Sequence, residues 1–271
     1  TASQLRLHGL RAPGPAPWWR QRREELLRVA ASHDCAYVYE REGVRAAARA
    51  LRAVGGVDRV FYAMKANPHP ELLRTLDAEG IGFECVSRGE VERVLATLPS
   101  IDRTRVLYTP NFAARAEYEW ALGTGVHVTI DNLYVLRAWP EVFKGRSLFV
   151  RLDTGTGRGH HQHVKTAGAQ SKFGVPLGEV AELRELAARH AVRIVGLHAH
   201  PGSGIFEVTS WAETAALLLD VAHQLPDVRC IDLGGGLGVP DSQQSAGVDL
   251  QQLGTALGAV RERRSGIEFW L

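Results

Sequence analysis

The sequence predicts an α/β fold, a (β/α)8 barrel of the TIM type, from three observations. The chain has 271 residues of which 45% are hydrophobic, which is enough to bury one large core. From Arg59 onward, short runs of β-branched and aromatic residues alternate with stretches whose apolar residues recur at helical spacing. We count eight such runs, whereas a doubly wound open sheet more usually stops at about six strands.

The eight runs have the length of buried strands in a parallel sheet. They predict strands over residues 60–64, 82–86, 106–109, 127–130, 148–152, 194–198, 230–233 and 267–271. Helical patterns lie between them, for example Leu183, Leu186 and Ala187. The eighth run ends at Leu271, so the sequence predicts no helix after it.

The N-terminal part differs in composition from the rest. Pro13, Pro15 and Pro17 predict a stiff linker over residues 11–19. We therefore assign residues 1–35 to an N-terminal linker and helix, and residues 36–271 to the barrel.

Charge and cysteine usage exclude several classes of protein. Thirty-two basic and 30 acidic side chains are spread along the chain and leave a net charge of +2, which disfavours nucleic-acid binding. Cys35, Cys85 and Cys230 stand far apart without a C-x-x-C pair, so we predict neither a disulfide framework nor a metal site. The chain has no apolar run of the ~18 residues that a membrane span needs and no signal-peptide core. We therefore expect a cytoplasmic protein.

Reactive side chains stand at predicted strand ends, where barrel enzymes carry their active sites. Lys65 ends the first run, and partial burial there would favour the neutral amine that condenses with an aldehyde. The seventh run is followed by Gly234, Gly235 and Gly236, whose backbone N–H groups can approach an anion closely. Ser203, after the sixth run, can add a hydroxyl group. The pattern predicts an amine and a phosphate site that face one cavity.

These motifs resemble those of a known family. FYAMKAN at residues 61–67 looks like the lysine motif of the alanine-racemase-like pyridoxal-phosphate (PLP) barrels. FECVSRGE at 83–90, SKFG at 171–174, HAHPGSG at 198–204 and DLGGG at 232–236 are similar in order and spacing to diaminopimelate and ornithine decarboxylases. Alanine racemases usually follow the lysine with Tyr-Gly-His-Gly, where this chain has Pro68, His69 and Pro70. From about residue 36 to 271, the chain is identified as a member of the fold type III PLP decarboxylases and is most similar to diaminopimelate decarboxylases.

The resemblance implies PLP as cofactor and a small-molecule amino-acid substrate, meso-diaminopimelate, which is decarboxylated to lysine. It implies that Lys65 holds the cofactor as a Schiff base and that His200 stacks on its pyridine ring. It further assigns phosphate binding to Ser203, Gly234, Gly235 and Gly236, and the cofactor wall near the lysine to Glu84 and Arg151.

Three more residues receive weaker assignments. The loop over residues 154–172 is rich in Gly, His and Thr, and such a loop at the barrel mouth usually serves the site. Lys172 and His161 belong to it and are secondary candidates, while a disordered insertion is the alternative for the loop. We expect His198 to face the opposite side of its strand from His200 and to be structural.

The sequence departs from the family at its C-terminal end. The glutamate beside the pyridine nitrogen normally sits in a Glu-Pro-Gly-Arg segment after the eighth strand, beyond Leu271, and Glu268 stands at the wrong offset. The family's C-terminal β domain, which completes the partner's site in a homodimer, is likewise absent from these residues. We therefore expect weak PLP binding and little turnover by this chain alone. The tryptophan-rich N-terminal segment suggests a fused aspartate kinase domain.

Three other functions stay open at this point. The chain can be a single-domain protein that binds PLP without catalysis, or a decarboxylase of ornithine, lysine or arginine. It can also be an aldolase that uses Lys65 on a sugar phosphate.

Overall fold

The computed structural model describes residues 17–155, 158–159, 172–240 and 247–271, and the chain divides into two compact units, residues 1–44 and 45–271. In the first unit lie α1 (Trp18–Gln21), α2 (Arg23–Ala30) and the start of α3 (Arg41–Arg52). Most of the predicted linker lies outside the described residues.

The second unit contains all eight predicted strands. They are β1 (Phe61–Ala63), β2 (Gly82–Cys85), β3 (Val106–Tyr108), β4 (His127–Ile130), β5 (Ser147–Asp153), β6 (Arg193–His198), β7 (Cys230–Asp232) and β8 (Glu268–Trp270). Each predicted run is confirmed, and each end lies within one residue of the prediction.

The strands form a closed parallel barrel. Neighbours along the chain are neighbours in the sheet, in the order β1 to β8, and every pairing is parallel. The ring closes where Arg59 bridges to Trp270, and the Phe61 amide donates to the Leu271 carbonyl at 2.8 Å. The predicted fold class, a (β/α)8 barrel, is confirmed, and the carboxyl ends of all eight strands therefore meet at one rim.

Helices connect the strands on the outside. They are α4 (Pro70–Ala78), α5 (Arg88–Thr97), α6 (Arg115–Thr124), α7 (Tyr134–Ala138), α8 (Pro140–Phe143), α9 (Val180–Arg189), α10 (Thr209–Ala222) and α11 (Leu250–Arg261), with short 3-10 helices over Met64–Ala66, Arg103–Arg105 and Leu177–Glu179. Side-chain caps fix several starts: Ser87 accepts from the Glu90 amide at 3.3 Å, and Asp249 accepts from the Gln251 amide at 3.0 Å. Among the residues that the structure describes, no helix combines the length and apolar character needed to cross a bilayer.

Three short strands lie beside the barrel near its carboxyl rim. Val175–Pro176 pairs with β5, and Arg158–Gly159 pairs with Gly202–Ser203. They fix the chain around the segments that follow β5 and β6.

Large aromatic side chains fill part of the barrel interior. Phe149 and Trp270 are buried with ring centroids 5.1 Å apart, and Phe61 stacks on Trp270 at 4.9 Å. The His127 ring lies 5.1 Å from Phe149 and 5.5 Å from Trp270. Because native interiors are close-packed, this cluster has little tolerance for added volume.

Gly196 in β6 makes room for the Phe149 ring. A Cβ atom there would lie 2.7 Å from Phe149 Cζ and overlap the ring edge. We expect Gly196→Ala to lower the free energy of unfolding in urea by about 1–3 kcal/mol through overpacking. Gly178→Ala is the matched control, because a Cβ at Gly178 meets no heavy atom within 4 Å. Equal unfolding midpoints for the two variants would contradict the packing described here.

Candidate active site

A cavity of about 420 Å³ opens at the carboxyl rim of the barrel. All eight residues that the sequence predicted for the site line it: Lys65, Glu84, Arg151, His200, Ser203, Gly234, Gly235 and Gly236. They come from the ends of β1, β2, β5, β6 and β7 or from the segments that follow. The barrel therefore brings together side chains that are up to 171 positions apart in sequence.

Lys65 stands at the mouth of this cavity. It lies in the 3-10 helix Met64–Ala66 directly after β1, and its side chain is 62% exposed. The expected partial burial is therefore wrong, because the 3-10 turn carries the residue past the strand end toward solvent. Its Nζ atom lies 4.0 Å from Glu84 Oε2.

Glu84 and Arg151 form the wall on the lysine side. Thr109 donates its hydroxyl hydrogen bond to Glu84 Oε1. Arg151 donates from Nη1 to Asn111 Oδ1 at 3.2 Å, and its guanidinium group lies 4.9 Å from the Phe173 ring centroid. Burial lowers the pKa of Arg151 from its ordinary value, while nearby carboxylates act in the opposite direction.

A buried carboxylate, Asp131, lies near Arg151 and interacts with its charge. Asp131 is buried and directly follows β4. Its carboxylate accepts one hydrogen bond from the Phe112 backbone amide at 3.3 Å and another from the Asn132 side-chain amide at 2.7 Å. Burial raises the pKa of Asp131, although these hydrogen bonds and the Arg151 charge oppose the shift. The first of the bonds holds Phe112 at φ 54, a left-handed conformation that side chains rarely adopt.

His200 lies half-buried in the cavity. Burial lowers the pKa of its imidazole from 6.5 to about 3, and the positive charges of His198, Arg151 and Lys65 add to the shift. The ring is therefore neutral at physiological pH. A neutral planar ring can pack flat against an aromatic ligand without bringing a further positive charge into the site.

His198 lies on the same side as His200, so the expectation that it faces the opposite side is wrong. Residues two apart in an extended chain point to the same face, and both imidazoles line the cavity. His198 Nδ1 lies 2.8 Å from Asp232 Oδ2 at the end of β7, and both side chains are buried. Burial by itself would raise the pKa of Asp232, but His198 and the Gly234 amide hydrogen bond outweigh it and the pKa is lowered.

The glycine run forms a close-fitting backbone cradle in the cavity that Lys65 also lines. Gly234 and Gly236 have φ values of 63 and 86. A Cβ at Gly234 would lie 2.8 Å from His200 Nδ1, and one at Gly236 would overlap the Gly202 carbonyl oxygen. Only glycine fits these two positions, and exposed backbone amides in such a turn suit an anion. The residues present therefore fit the phosphate end of PLP, the cofactor that the sequence predicts.

The remaining predicted residues lie elsewhere. Lys172 is exposed with Nζ 5.2 Å from the Phe173 ring, and it is not among the residues that line the cavity. His161 and most of the loop over residues 154–172 lie outside the described residues. Glu268 pairs with Arg59 at 3.2 Å and accepts from the Trp270 indole at 2.9 Å at the start of β8, away from the cavity.

Sequence reasoning missed four residues that line the cavity or support it. They are Thr109, Asn111, Asp131 and Asp232. Asp232 carried a usable signal, because it ends a strand directly before the glycine run. Thr109 and Asn111 carried none, since their role depends on contacts with β2 and β5 that no local pattern encodes.

The lowered pKa values of His127 and His200 predict that the fold loses stability in acid. Burial lowers the pKa values of His127 and His200 below their ordinary value of 6.5. As the pH falls through 6.5, the unfolded chain therefore binds more protons than the folded chain, and the free energy of unfolding decreases. For His200 this decrease continues down to its folded-state pKa of about 3. For His200 we expect a loss of roughly 1 kcal/mol between about pH 7.5 and 5.5, measured by urea unfolding. His200→Gln should lose this share of the pH dependence. Equal stability of the original chain at both pH values would contradict the prediction.

Comparison with known proteins identifies relatives of this chain. Residues 41–267 match the family model described as pyridoxal-dependent decarboxylase, pyridoxal binding domain. The diaminopimelate decarboxylase of Methanothermobacter thermautotrophicus is 34% identical over 223 residues, which cover 80% of this chain and 52% of the relative. The Escherichia coli diaminopimelate decarboxylase is 29% identical over 243 residues, with coverage of 89% and 57%. The chain thus spans about half the length of the curated relatives it matches.

A solved structure shows the same fold. The crystal structure of Helicobacter pylori diaminopimelate decarboxylase complexed with L-lysine superposes with a TM-score of 0.81 at 22% identity. The superposition covers 92% of this chain and 64% of that structure.

Proposed function

We infer the function from the family, since this chain belongs to the pyridoxal-dependent decarboxylases as their pyridoxal-binding domain. Its cofactor is pyridoxal 5′-phosphate, and its enzyme class is the amino-acid decarboxylases, which are lyases. We propose that the protein containing this domain decarboxylates meso-diaminopimelate to lysine. The observation that supports PLP binding is one cavity that joins an amine, a neutral imidazole and a glycine cradle for an anion. The choice of substrate is supported by the relatives, which are diaminopimelate decarboxylases.

Each end of the cavity would hold a different part of the cofactor. The amides of Gly235 and Gly236 and the hydroxyl of Ser203 would bind the phosphate group, with the turn geometry fixed by the two positive φ values. Gly234 would shape the turn, because its amide already donates to Asp232 at 2.9 Å. Lys65 would bind the aldehyde end through Nζ. When bound, the cofactor supplies a ring that takes up the electron pair left by departing carbon dioxide.

The protein side chains prepare this chemistry by position and charge. Glu84, 4.0 Å from Lys65 Nζ, would keep the amine directed into the cavity and exchange a proton with it. His200 would pack its neutral ring against the cofactor ring. Arg151, held by Asn111 and stacked near Phe173, would provide a fixed positive charge for an anionic group of the substrate.

The chain spans about half the length of its curated relatives. We propose that the whole protein is a homodimer and that its site also uses a carboxylate beside the pyridine nitrogen and a β domain. Glu268 does not take that role, because Arg59 and Trp270 hold it away from the cavity. The fused aspartate kinase domain and a cytoplasmic location stay predictions.

The substrate is tested with the full-length gene product and a panel of basic amino acids. We expect carbon dioxide release to be fastest from meso-diaminopimelate, because the curated relatives at 29–34% identity carry that name. Faster release from ornithine, lysine or arginine would move the assignment to a related decarboxylase. Tight PLP binding with no release from any of them would contradict the proposal and favour a PLP-binding protein.

A further inference from the structure

The turn that follows β3 contains a residue in a conformation that side chains rarely adopt. Among the residues that the structure describes, only Phe112 and Ala191 are residues other than glycine with a positive φ, 54 in each case. Phe112 directly follows Asn111, which lines the active-site cavity. The Phe112 side chain is 60% exposed, so its own burial does not explain the conformation. Such a conformation persists where surrounding contacts hold it, and it is frequent at functional sites.

The contact that holds this turn is made by a buried carboxylate. The Phe112 backbone amide donates to Asp131 Oδ2 at 3.3 Å, and the Asn132 side chain donates to Asp131 Oδ1 at 2.7 Å. The Asp131 side chain is 2% exposed. Because a buried carboxylate is costly without hydrogen-bond donors, the bond to Phe112 stabilises the carboxylate and the left-handed turn together.

The same turn places the contacts of Arg151. Asn111 accepts from Arg151 Nη1 through its Oδ1 atom at 3.2 Å. The Phe112 ring lies 6.3 Å from the Phe173 ring, and the Arg151 guanidinium group lies 4.9 Å from that same Phe173 ring. A long arginine side chain loses rotamer freedom when it is fixed, so it needs contacts of this kind to keep one orientation.

Asp131 also acts on Arg151 through its charge. Burial lowers the pKa of Arg151, and among the carboxylates that oppose this shift Asp131 has the largest effect. The hydrogen bonds of the Asp131 side chain go to Phe112 and Asn132 rather than to Arg151. The orientation of the guanidinium group therefore depends on the turn, which sets where the Asn111 oxygen lies.

We propose that Asp131 is a positioning residue for Arg151. By holding the left-handed turn at Phe112, it places the Asn111 amide oxygen where it fixes the guanidinium group in the cavity. The inference deepens the proposed function and rests on it for the anionic substrate group that Arg151 would bind. The positioning itself is a property of this chain and is measured without cofactor.

The test follows the Arg151 guanidinium group by NMR on the chain with isotope-labelled arginine. A guanidinium group fixed by contacts gives separate signals for its Nη hydrogens, whereas a freely rotating one gives averaged signals. Arg151→Lys identifies the Arg151 signals by their loss. Arg137 in α7 is the internal reference, because Glu182 accepts from its Nε and Nη2 atoms at 2.7 Å each.

Two substitutions of Asp131 separate the hydrogen bond from the charge. Asp131→Leu removes both acceptor oxygens at similar side-chain size, so the Arg151 signals, separate in the original chain, are expected to average while those of Arg137 stay separate. Asp131→Asn keeps an acceptor oxygen for the Phe112 amide and is expected to keep the Arg151 signals separate. Averaged Arg151 signals in Asp131→Asn, or separate ones in Asp131→Leu, would overturn the proposal. Averaging of the Arg137 signals as well would indicate a merely structural role and would also overturn it.

Two measurements remain if Asp131→Leu does not fold. Asn111→Leu changes an exposed residue and is expected to average the Arg151 signals. In the original chain and in Asp131→Asn, the Phe112 amide hydrogen is expected to exchange with solvent more slowly than in an unstructured peptide. Separate Arg151 signals in Asn111→Leu, or unprotected exchange at Phe112 in the original chain, would overturn the proposal.

A double-mutant cycle in the full-length protein tests whether Asp131 acts through Arg151. Asp131→Leu is expected to lower kcat/KM for decarboxylation by roughly 10–100-fold, since a small misplacement of a binding group can cost that much. In the Arg151→Met background the same substitution should cost only a few-fold more, because residues that act through one another are not additive. Equal fold losses in both backgrounds would overturn the proposal. Absence of carbon dioxide release from the original full-length protein would contradict the proposed function and leave the arginine spectra of this chain unchanged, so the two claims can fail separately.

Discussion

Replacing Lys65 with alanine is expected to abolish covalent capture of pyridoxal phosphate by this chain. In the full-length protein, we expect the decarboxylation rate to fall by roughly 10²–10⁴-fold, the range seen when a positioned proton-transfer group is removed. The reason is geometric, because Lys65 is the lysine that lines the cavity among the residues that the structure describes, 4.0 Å from Glu84. The measurements are the visible absorbance band of the bound cofactor and the release of carbon dioxide.

Lys144→Ala provides the matched control for this variant. Lys144 is exposed, follows α8 and does not line the cavity. Its loss should leave both the absorbance band and the decarboxylation rate equal to those of the original protein within experimental error. If the Lys65 variant kept the visible band at the intensity of this control, the amine assigned here would be the wrong one. The absence of any visible band from the original chain with PLP would instead favour the aldolase that uses Lys65 on a sugar phosphate.

Gly236→Ala is expected to weaken PLP binding by about 100-fold or more, which corresponds to about 2.8 kcal/mol. The added Cβ would overlap the Gly202 carbonyl oxygen, and the residue sits at φ 86, where a side chain is strained. Because the overlap is with backbone rather than with a flexible side chain, the cradle has to move. Binding is measured by titration with PLP and, independently of the lysine, by competition with inorganic phosphate.

The Gly266→Ala variant separates the effect of backbone strain from that of steric overlap. Gly266 has φ 79, close to that of Gly236, but a Cβ there meets no heavy atom within 4 Å and the residue lies before β8, at the other end of the barrel. We expect this control to lose some stability and to keep its PLP affinity within a few-fold. Comparable losses of affinity in both variants would mean that the cradle does not contact the anion.

The barrel could be predicted from the sequence because each strand is a short apolar run between helical patterns. The runs at residues 127–130 and 230–233 illustrate this, since period and length alone located them to within one residue of β4 and β7. Once the strand order is sequential and parallel, the carboxyl ends must converge on one rim. For that reason the eight principal site residues predicted from the sequence line one cavity.

The sequence could not predict how individual side chains are held at that rim. The exposure of Lys65 depends on a 3-10 turn after β1, which has no strong local signal. The Arg151–Asn111 bond joins residues 40 positions apart, and its geometry follows from the packing of the connecting segments. His198 was assigned to the wrong face although the two-residue period of an extended chain places it beside His200.

The central claim is that Lys65 and the glycine cradle hold the two ends of one cofactor. The chain contains four lysines, Lys65, Lys144, Lys165 and Lys172, so peptide mass mapping after PLP treatment and borohydride reduction can locate the attached group. The account predicts labelling of Lys65, suppressed by excess inorganic phosphate that competes for the cradle. Labelling spread over the other three lysines, or labelling of Lys65 that phosphate does not reduce, would contradict it.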